Sequence, residues 1–351
     1  MIYIKKAFGI HPVVNLCHTM SSSPVVFGEL SRRQALLAGA SALFLPRVAA
    51  AAEAPGPSTI RLVVPFTPGT GIDLIARQLA APLSARLKCQ VYVDNKPGAS
   101  GNIGTQEVIR ATPDGSTLLV TVNTLVINPS LYPKLGFNPL QDLAPITLTS
   151  RGQLLLVVGS SKKVDSLAGL ISYAKSHPGE LNYGSPGAGT PHHLAMELLK
   201  ARTKIALTHV SYRGTAPALT ELLGGQIDLM FLPIHVALQH VKSGKLRALA
   251  ISSDQSSRLL PEVPPLRSLN LGDLNVDMWY GLLGPAATPP AFIQRVNQEV
   301  KAILAQPDVS TAFESQGMTP ESSSPQSLQQ IMQADARRWG DLIREQGITA
   351  D

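Results

Sequence analysis

From Thr59 onward the chain alternates short continuous apolar runs with stretches whose apolar residues recur every three or four positions. TIRLVVPF is a brief apolar run ended by a proline and reads as a buried strand. GIDLIARQLAAPLSARL carries helical spacing, with Asp73 near its start. KCQVYVDNKPG reads as a second strand running into a turn, and GNIGTQEVIRATPDG as a short helix stopped by Pro113 and Gly115. GSTLLVTVN is a third strand. Strand, helix, strand, helix, strand is the pattern of a parallel sheet with crossover helices.

The second half repeats it. QLLLVVGS, LNYGS, IALTHVSY, IDLMFLP and LRALAISS read as strands. SLAGLISYAKSHPG, PHHLAMELLKAR, PALTELLGGQ and LQHVKSGK read as helices between them. DMWYGLLGP then returns as a strand elsewhere, PPAFIQRVNQEVKAILAQ is a helix, and SPQSLQQIMQADARRWGDLIREQGI a long amphipathic one with Trp339 on its apolar side. The expected fold is α/β and two-lobed, each lobe a mainly parallel sheet flanked by helices, with a cleft between them. Residues 55–155 plus 277–351 form the first expected lobe and 156–276 the second.

Loops after strands gather at the carboxyl ends of such sheets, where ligands bind. Three glycine-rich loops fall there, PFTPGTGID, NKPGASGNIG and YGSPGAGTPHH, and each opens a helix. Helix N-termini present unpaired N–H groups and partial positive charge, which suits an anion. The anion is not a nucleotide. None of these loops carries the lysine of a phosphate-binding Walker loop, and PGTGID has Leu74 where a dinucleotide loop needs its third glycine.

Charge changes the picture little. The net charge is +6, but five of the 30 basic and two of the 24 acidic residues precede Pro55, so half of the excess lies in that leader. No basic run tracks a phosphate backbone, so nucleic acid is not an expected partner. The leader, residues 1–54, places Arg32 and Arg33 after a serine and before an apolar stretch, Ala35 to Leu45, too short to span a bilayer. Small residues follow, with cleavage expected between Ala50 and Ala54. The twin arginine favours the twin-arginine export route over a Sec signal with a basic start, and either route gives a periplasmic product. Met20 is an alternative start. Cys17 falls in the leader, which leaves Cys89 without a disulfide partner. No later stretch is long and apolar enough to insert in a membrane.

Catalytic constellations are lacking. His192 and His193 are adjacent on a helix and point about 100° apart, so they are not expected to share a metal. Ser185 has no nucleophile-elbow context. Asp73 reads equally as a first-turn acid facing the helix dipole. Asp228 reads as closing a turn or pairing with a backbone N–H rather than touching ligand. Trp279 and Tyr280 are either core or a wall of the cleft. No cofactor, metal or catalytic residue is expected.

Taken together, VPFTPGTGIDLIAR, VDNKPGASGNIG, TPDGSTLL, INPSLY, YGSPGAGTPHHLA, SYRGTAPALTELLGGQIDLMF, KSGKLRALAISS, WYGLLGPAATP and RWGDLIREQGI resemble the tripartite tricarboxylate transporter substrate-binding proteins, the Bug family. The resemblance runs from about Ile60 to Ile348. It implies a two-lobed periplasmic receptor, monomeric, that closes on a small carboxylate and delivers it to membrane transporter subunits. Carried onto this chain, it implies ligand contacts from Phe66, Thr67, Thr70, Gly71 and Asp73 in the first lobe. In the second lobe it implies Ser185, Gly187, Gly189, Thr190 and His193, and elsewhere Ala99, Ser100 and Asn123 are secondary candidates; Asp228 is added as a candidate from its position alone. A sensor subunit and an exported enzyme are the competing readings. Two departures stand out. Thr70 replaces the second glycine of the family's first loop, so that loop takes another shape or turns its hydroxyl on the ligand. MFLPIHVA lacks the family's polar residues, so an apolar wall is expected, fitting a mono- or dicarboxylate with an apolar or aromatic body.

Overall fold

The computed structural model describes residues 56–349 apart from positions 133, 163, 254, 272, 273, 275 and 277; the leader and Cys17 lie outside the described residues. In chain order, β1 (Thr59–Val64), α1 (Gly71–Leu87), β2 (Gln90–Asn95), α2 (Asn102–Ile109) and β3 (Thr117–Val122) follow the expected alternation. Next come α3 (Thr124–Leu131) and β4 (Leu143–Gly152), which the pattern had not resolved. The second half runs β5 (Leu154–Gly159), α4 (Leu167–Ser176), β6 (Asn182–Ser185), α5 (Pro191–Thr203), β7 (Thr208–Ser211), α6 (Thr215–Leu223), β8 (Leu229–Pro233), α7 (Ile234–Lys242) and β9 (Leu246–Ile251). The chain closes with β10 (Met278–Pro285), α8 (Pro290–Leu304), α9 (Pro307–Glu314), β11 (Met318–Pro320) and α10 (Pro325–Gln346).

The strands form two sheets, ordered β11-β4-β10-β3-β1-β2 and β7-β6-β8-β5-β9. The α/β, two-sheet architecture is as expected, but neither sheet is mainly parallel. β1 pairs β2 and β3 in parallel, and β6 pairs β7 and β8 in parallel. β10 and β5 instead run antiparallel to both of their neighbours. The reason is connectivity. Strands β4 and β9 leave one sheet for the other, and the strands that receive the chain, β5 and β10, enter from the opposite side.

The continuous apolar runs sit where they are covered on both faces. Every residue of β3, β5 and β10 is buried, which is why these strands lack the alternation of a half-exposed sheet. α10 is amphipathic and lays Leu328, Met332, Trp339 and Ile343 inward. It starts where the Ser324 hydroxyl accepts from the Ser327 N–H, with proline next in line, and it ends at Gly347 in a left-handed conformation, signals that mark helix ends in sequence.

The chain changes sheets at Gln153, so Leu154 and Leu155 already pair within the second sheet, ahead of the expected lobe boundary. The two crossings are laced together. The Ser252 hydroxyl accepts from the Leu154 N–H at 3.0 Å, the Ser252 N–H donates to the Leu154 carbonyl at 2.8 Å, and the Gln153 side chain donates to the Ser253 hydroxyl at 2.8 Å.

Candidate functional site: a cleft between two helix N-termini

A cleft of about 730 Å³ is lined by loops from both sheets. The loop entering α1 contributes Phe66, Thr67, Thr70 and Gly71; the loop after β2 contributes Ala99 and Ser100; the loop entering α5 contributes Gly187 and Thr190. All lie past the carboxyl ends of parallel strands, where helix N-termini face the opening.

The two helix-opening loops share one construction. Thr70 and Thr190 are the residues before α1 and α5, and neither side chain caps its helix. Each hydroxyl instead donates backward, Thr70 to the Thr67 carbonyl at 3.0 Å and Thr190 to the Gly187 carbonyl at 2.8 Å. The first N–H groups of a helix have no intrahelical acceptor. With the threonines turned away, those of α1 and α5 are left toward the cleft. Thr70 adopts φ −75°, so replacing a glycine here strains nothing. Of the two alternatives at this position, the hydroxyl is spent on the loop itself.

Asp73 stands behind this loop and does not line the cleft. Its carboxylate accepts from the Gly69 N–H at 2.9 Å, from Arg77 Nε at 3.0 and 3.1 Å and from Asn95 Nδ2 at 3.0 Å. Burial pushes its carboxyl up, but the bonds from Arg77, Gly69 and Asn95 outweigh that and hold it below the usual range. Asp73 is a brace for Gly69.

The second loop carries consecutive positive φ angles at Gly98, Ala99, Ser100 and Gly101. Ala99 and Ser100 are strained there, at a cost of about 1 kcal/mol each. The surroundings hold them: Asn128 donates to the Ser100 carbonyl at 3.0 Å, and the Ser100 hydroxyl lies 3.1 Å from the Tyr132 hydroxyl. That same hydroxyl donates to the Ala188 carbonyl at 3.2 Å, so Ser100 joins the loops of the two sheets across the cleft.

Ser185, Gly189 and His193 shape the third loop from beneath. The Ser185 hydroxyl donates to the Gly187 carbonyl at 3.0 Å and lies 2.8 Å from His209 Nε2. The Gly189 N–H donates to His193 Nδ1 at 3.0 Å. His193 stacks on His209 with ring centroids 4.0 Å apart, and His209 on Tyr183 at 4.8 Å. Burial holds the His193 imidazole down at about 3 and that of His209 at about 4. Neutral His193 can therefore accept from Gly189.

Asn123 is fully buried under the floor formed by its neighbours Val122 and Thr124. Asp228 is paired with a backbone N–H, one of its two sequence readings, and its place among the ligand candidates is corrected. It precedes β8, whose other end, Pro233, meets the cleft. Its carboxylate accepts from the Asn182 N–H at 2.8 Å and pairs with Lys162 at 2.9 Å, so it joins the starts of β6 and β8 at the end of the sheet away from the cleft. Trp279 and Tyr280 part ways, as neighbours on a strand must. Trp279 donates to Asp335 at 2.8 Å on the α10 side, while Tyr280 lines the cleft.

Sequence reading missed His235, Tyr132, Tyr212 and Arg213, which also line the cleft. His235 lies two residues past the end of β8, and the rule used for the glycine loops reaches it. The wall expected to be apolar thus carries an imidazole. Among the described residues no aspartate or glutamate lines the cleft, and the one lysine or arginine there is exposed Arg213. Among the described residues no helix is long and apolar enough to cross a membrane.

Comparison with known proteins identifies the family and the fold. Residues 75–348 match the Tripartite tricarboxylate transporter family receptor. The periplasmic binding protein BugD superposes with a TM-score of 0.78 at 29% identity, over 83% of this chain and 98% of its own. Rpa4515 of R. palustris, solved with adipate, gives 0.79 at 31% identity, over 83% and 98%. MatC from Rhodopseudomonas palustris, with bound malate, gives 0.74 at 31% identity, over 81% and 98%. The chain belongs to the tripartite tricarboxylate transporter receptors, the Bug family of periplasmic solute-binding proteins.

Proposed function

We propose that this receptor captures a small mono- or dicarboxylate with an apolar body between two closing lobes and delivers it to the membrane subunits of a tripartite tricarboxylate-type transporter. The observation that carries the reading is the shared construction of α1 and α5. Two helix N-termini face one cleft, both with their threonine hydroxyls turned back, and among the described residues no carboxylate lines the space between them. Such donors hold an anion by geometry and let it go, where a ring of fixed cations would not. Thr70, Gly71, Ser100, Gly187 and Thr190 form the proposed grip, with Phe66, Thr67 and Ala99 beside it. The bound adipate of Rpa4515 and malate of MatC, both dicarboxylates, support the same ligand class here.

The lobes of the proposal are the two sheets with their helices, hinged where Gln153 and Leu154 cross beside Ser252. The protein works as a monomer, and residues 1–54 export it by the twin-arginine route. No catalytic step is part of this reading. A thermal-shift screen against small acids and their matching amides tests it. An acid at a hundredfold its dissociation constant adds about 2.7 kcal/mol of stability, and the amide adds none. Equal shifts from acid and amide would end the carboxylate reading.

A further inference from the structure

The loops that open α1 and α5 repeat one arrangement, GTGID from Gly69 to Asp73 and GTPHH from Gly189 to His193. Each begins on a glycine in the left-handed region, at φ +82° and +72°. Each continues through an extended threonine into its helix. In each, the side chain at the third helical position takes the N–H of that glycine, Asp73 at 2.9 Å and His193 at 3.0 Å. The two braces differ in kind. One is a carboxylate and the other an imidazole.

A ring nitrogen that accepts a hydrogen bond carries no proton, so His193 Nδ1 is bare and the ring is uncharged. Its Nε2 faces Glu197 Oε1 at 3.9 Å, and that carboxylate is already engaged by the Tyr183 hydroxyl and by Lys200. His209 covers the ring at 4.0 Å between centroids. It also extends the brace. The Ser185 proton goes to the Gly187 carbonyl, so the Ser185 oxygen accepts from His209 Nε2 at 2.8 Å. Gly187 and Gly189 are both held from one stack of histidines.

The difference between the braces bears on charge. An acid in the first turn of a helix answers the partial positive charge of its N-terminus. Asp73 does this for α1, and the first turn of α5 contains no acid. The field of α5 is left whole for an anion in the cleft.

We propose that His193 is a positioning residue for capture: it fixes Gly189 as Asp73 fixes Gly69, and because it does so without charge the α5 side of the cleft is the stronger seat for an anion. The inference rests on the carboxylate reading above and adds an inequality between the two loops.

The test compares His193→Asn, His193→Leu and His193→Asp with the parent by titration calorimetry at pH 8, using adipate, malate and hexanoate. Hydrogen exchange of the Gly189 amide, followed by NMR in the ligand-free protein, reads the brace itself. Asparagine Oδ1 takes the place of Nδ1, so His193→Asn binds within about threefold of the parent and keeps that amide slow. Asparagine is no such substitute at Asp73, whose second oxygen also accepts from Asn95 and Arg77. His193→Leu leaves a buried N–H unanswered, speeds its exchange and loses about tenfold in affinity. His193→Asp keeps the amide slow but loses about tenfold for the acids, because its charge opposes theirs. Should His193→Asp not fold, proton linkage decides the charge. At pH 6.5, in buffers of different ionisation enthalpy, the parent takes up no proton on binding, and an uptake that His193→Asn abolishes would overturn the proposal.

An asparagine variant as weak as the leucine variant makes the ring a packing element and overturns it too. So does a leucine variant that binds like the parent with a slow Gly189 amide, or an aspartate variant that binds acids as well as asparagine does. In each of these cases the carboxylate reading stands. If none of the acids binds the parent, both fall.

Discussion

A single methyl group is enough to break the loop that enters α5. Gly189 sits at φ +72°, and a Cβ there would fall 1.9 Å from Leu131 Cδ1, so both the backbone and its neighbour object. Gly189→Ala is expected to destabilise the protein by about 1–3 kcal/mol, read from the midpoint of urea unfolding. Titration acts at the same scale. Burial keeps His192 and His193 uncharged down to about 3, and His209 and His235 down to about 4. Free imidazoles in the unfolded chain protonate near 6.5, so the unfolded state binds more protons below that pH. Folded stability from these groups is whole above pH 6.5 and falls as pH drops toward 4, by up to about 2 kcal/mol per histidine at pH 5. Urea midpoints at pH 7.5 and pH 5 measure the loss, and His192→Leu reduces it. A bound anion acts in the opposite sense, because it favours protonated imidazole.

Among elements, the two aspartates once grouped as candidates separate cleanly. Asp73 braces Gly69 in the loop that opens α1, and Asp228 ties β6 to β8 away from the cleft. Asp73→Asn is expected to weaken acid binding about tenfold through a loosened loop. Asp228→Asn should cost about 1–3 kcal/mol of stability and leave affinity unchanged. Calorimetry and a melt on both variants check the contrast. The sequence carried most elements because their ends are written in it: the span of α1 is that of its apolar periodicity, and proline or glycine stops α2 and α4. It did not carry α3, where Asn128 and Pro129 interrupt the pattern, nor short α9 and β11. Strand direction in β5 and β10 depends on which sheet a strand joins, a long-range fact that local periodicity lacks. The cleft loops were legible by their glycines. His235 follows the end of a strand as they do, but with no glycine beside it nothing in the sequence marked that turn as a cleft loop.

For the molecule as a whole, the cleft is bridged as it stands: Ser100 reaches the Ala188 carbonyl, and Gly214 lies against Thr67. A receptor that must admit its ligand has to release such contacts, so the ligand-free protein in solution is expected to be more open. Small-angle scattering would register this as a radius of gyration that shrinks when a bound acid is added. Ser100→Ala removes the bridging hydroxyl and should leave the closed state less populated at a given acid concentration. An unchanged radius across the titration would mean that capture occurs without lobe closure.

The placement of Trp279 reaches into practice at the bench. The chain holds two tryptophans, and both are buried on the α10 side, Trp279 bonded to Asp335 and Trp339 packed within the helix's inward face. Neither lines the cleft. Ultraviolet emission from this protein therefore comes from fluorophores shielded from whatever the receptor holds, and a flat emission trace on adding a solute is no sign of failed binding. A tryptophan introduced at Tyr212, on the cleft's edge, would give the optical signal that the native pair withholds.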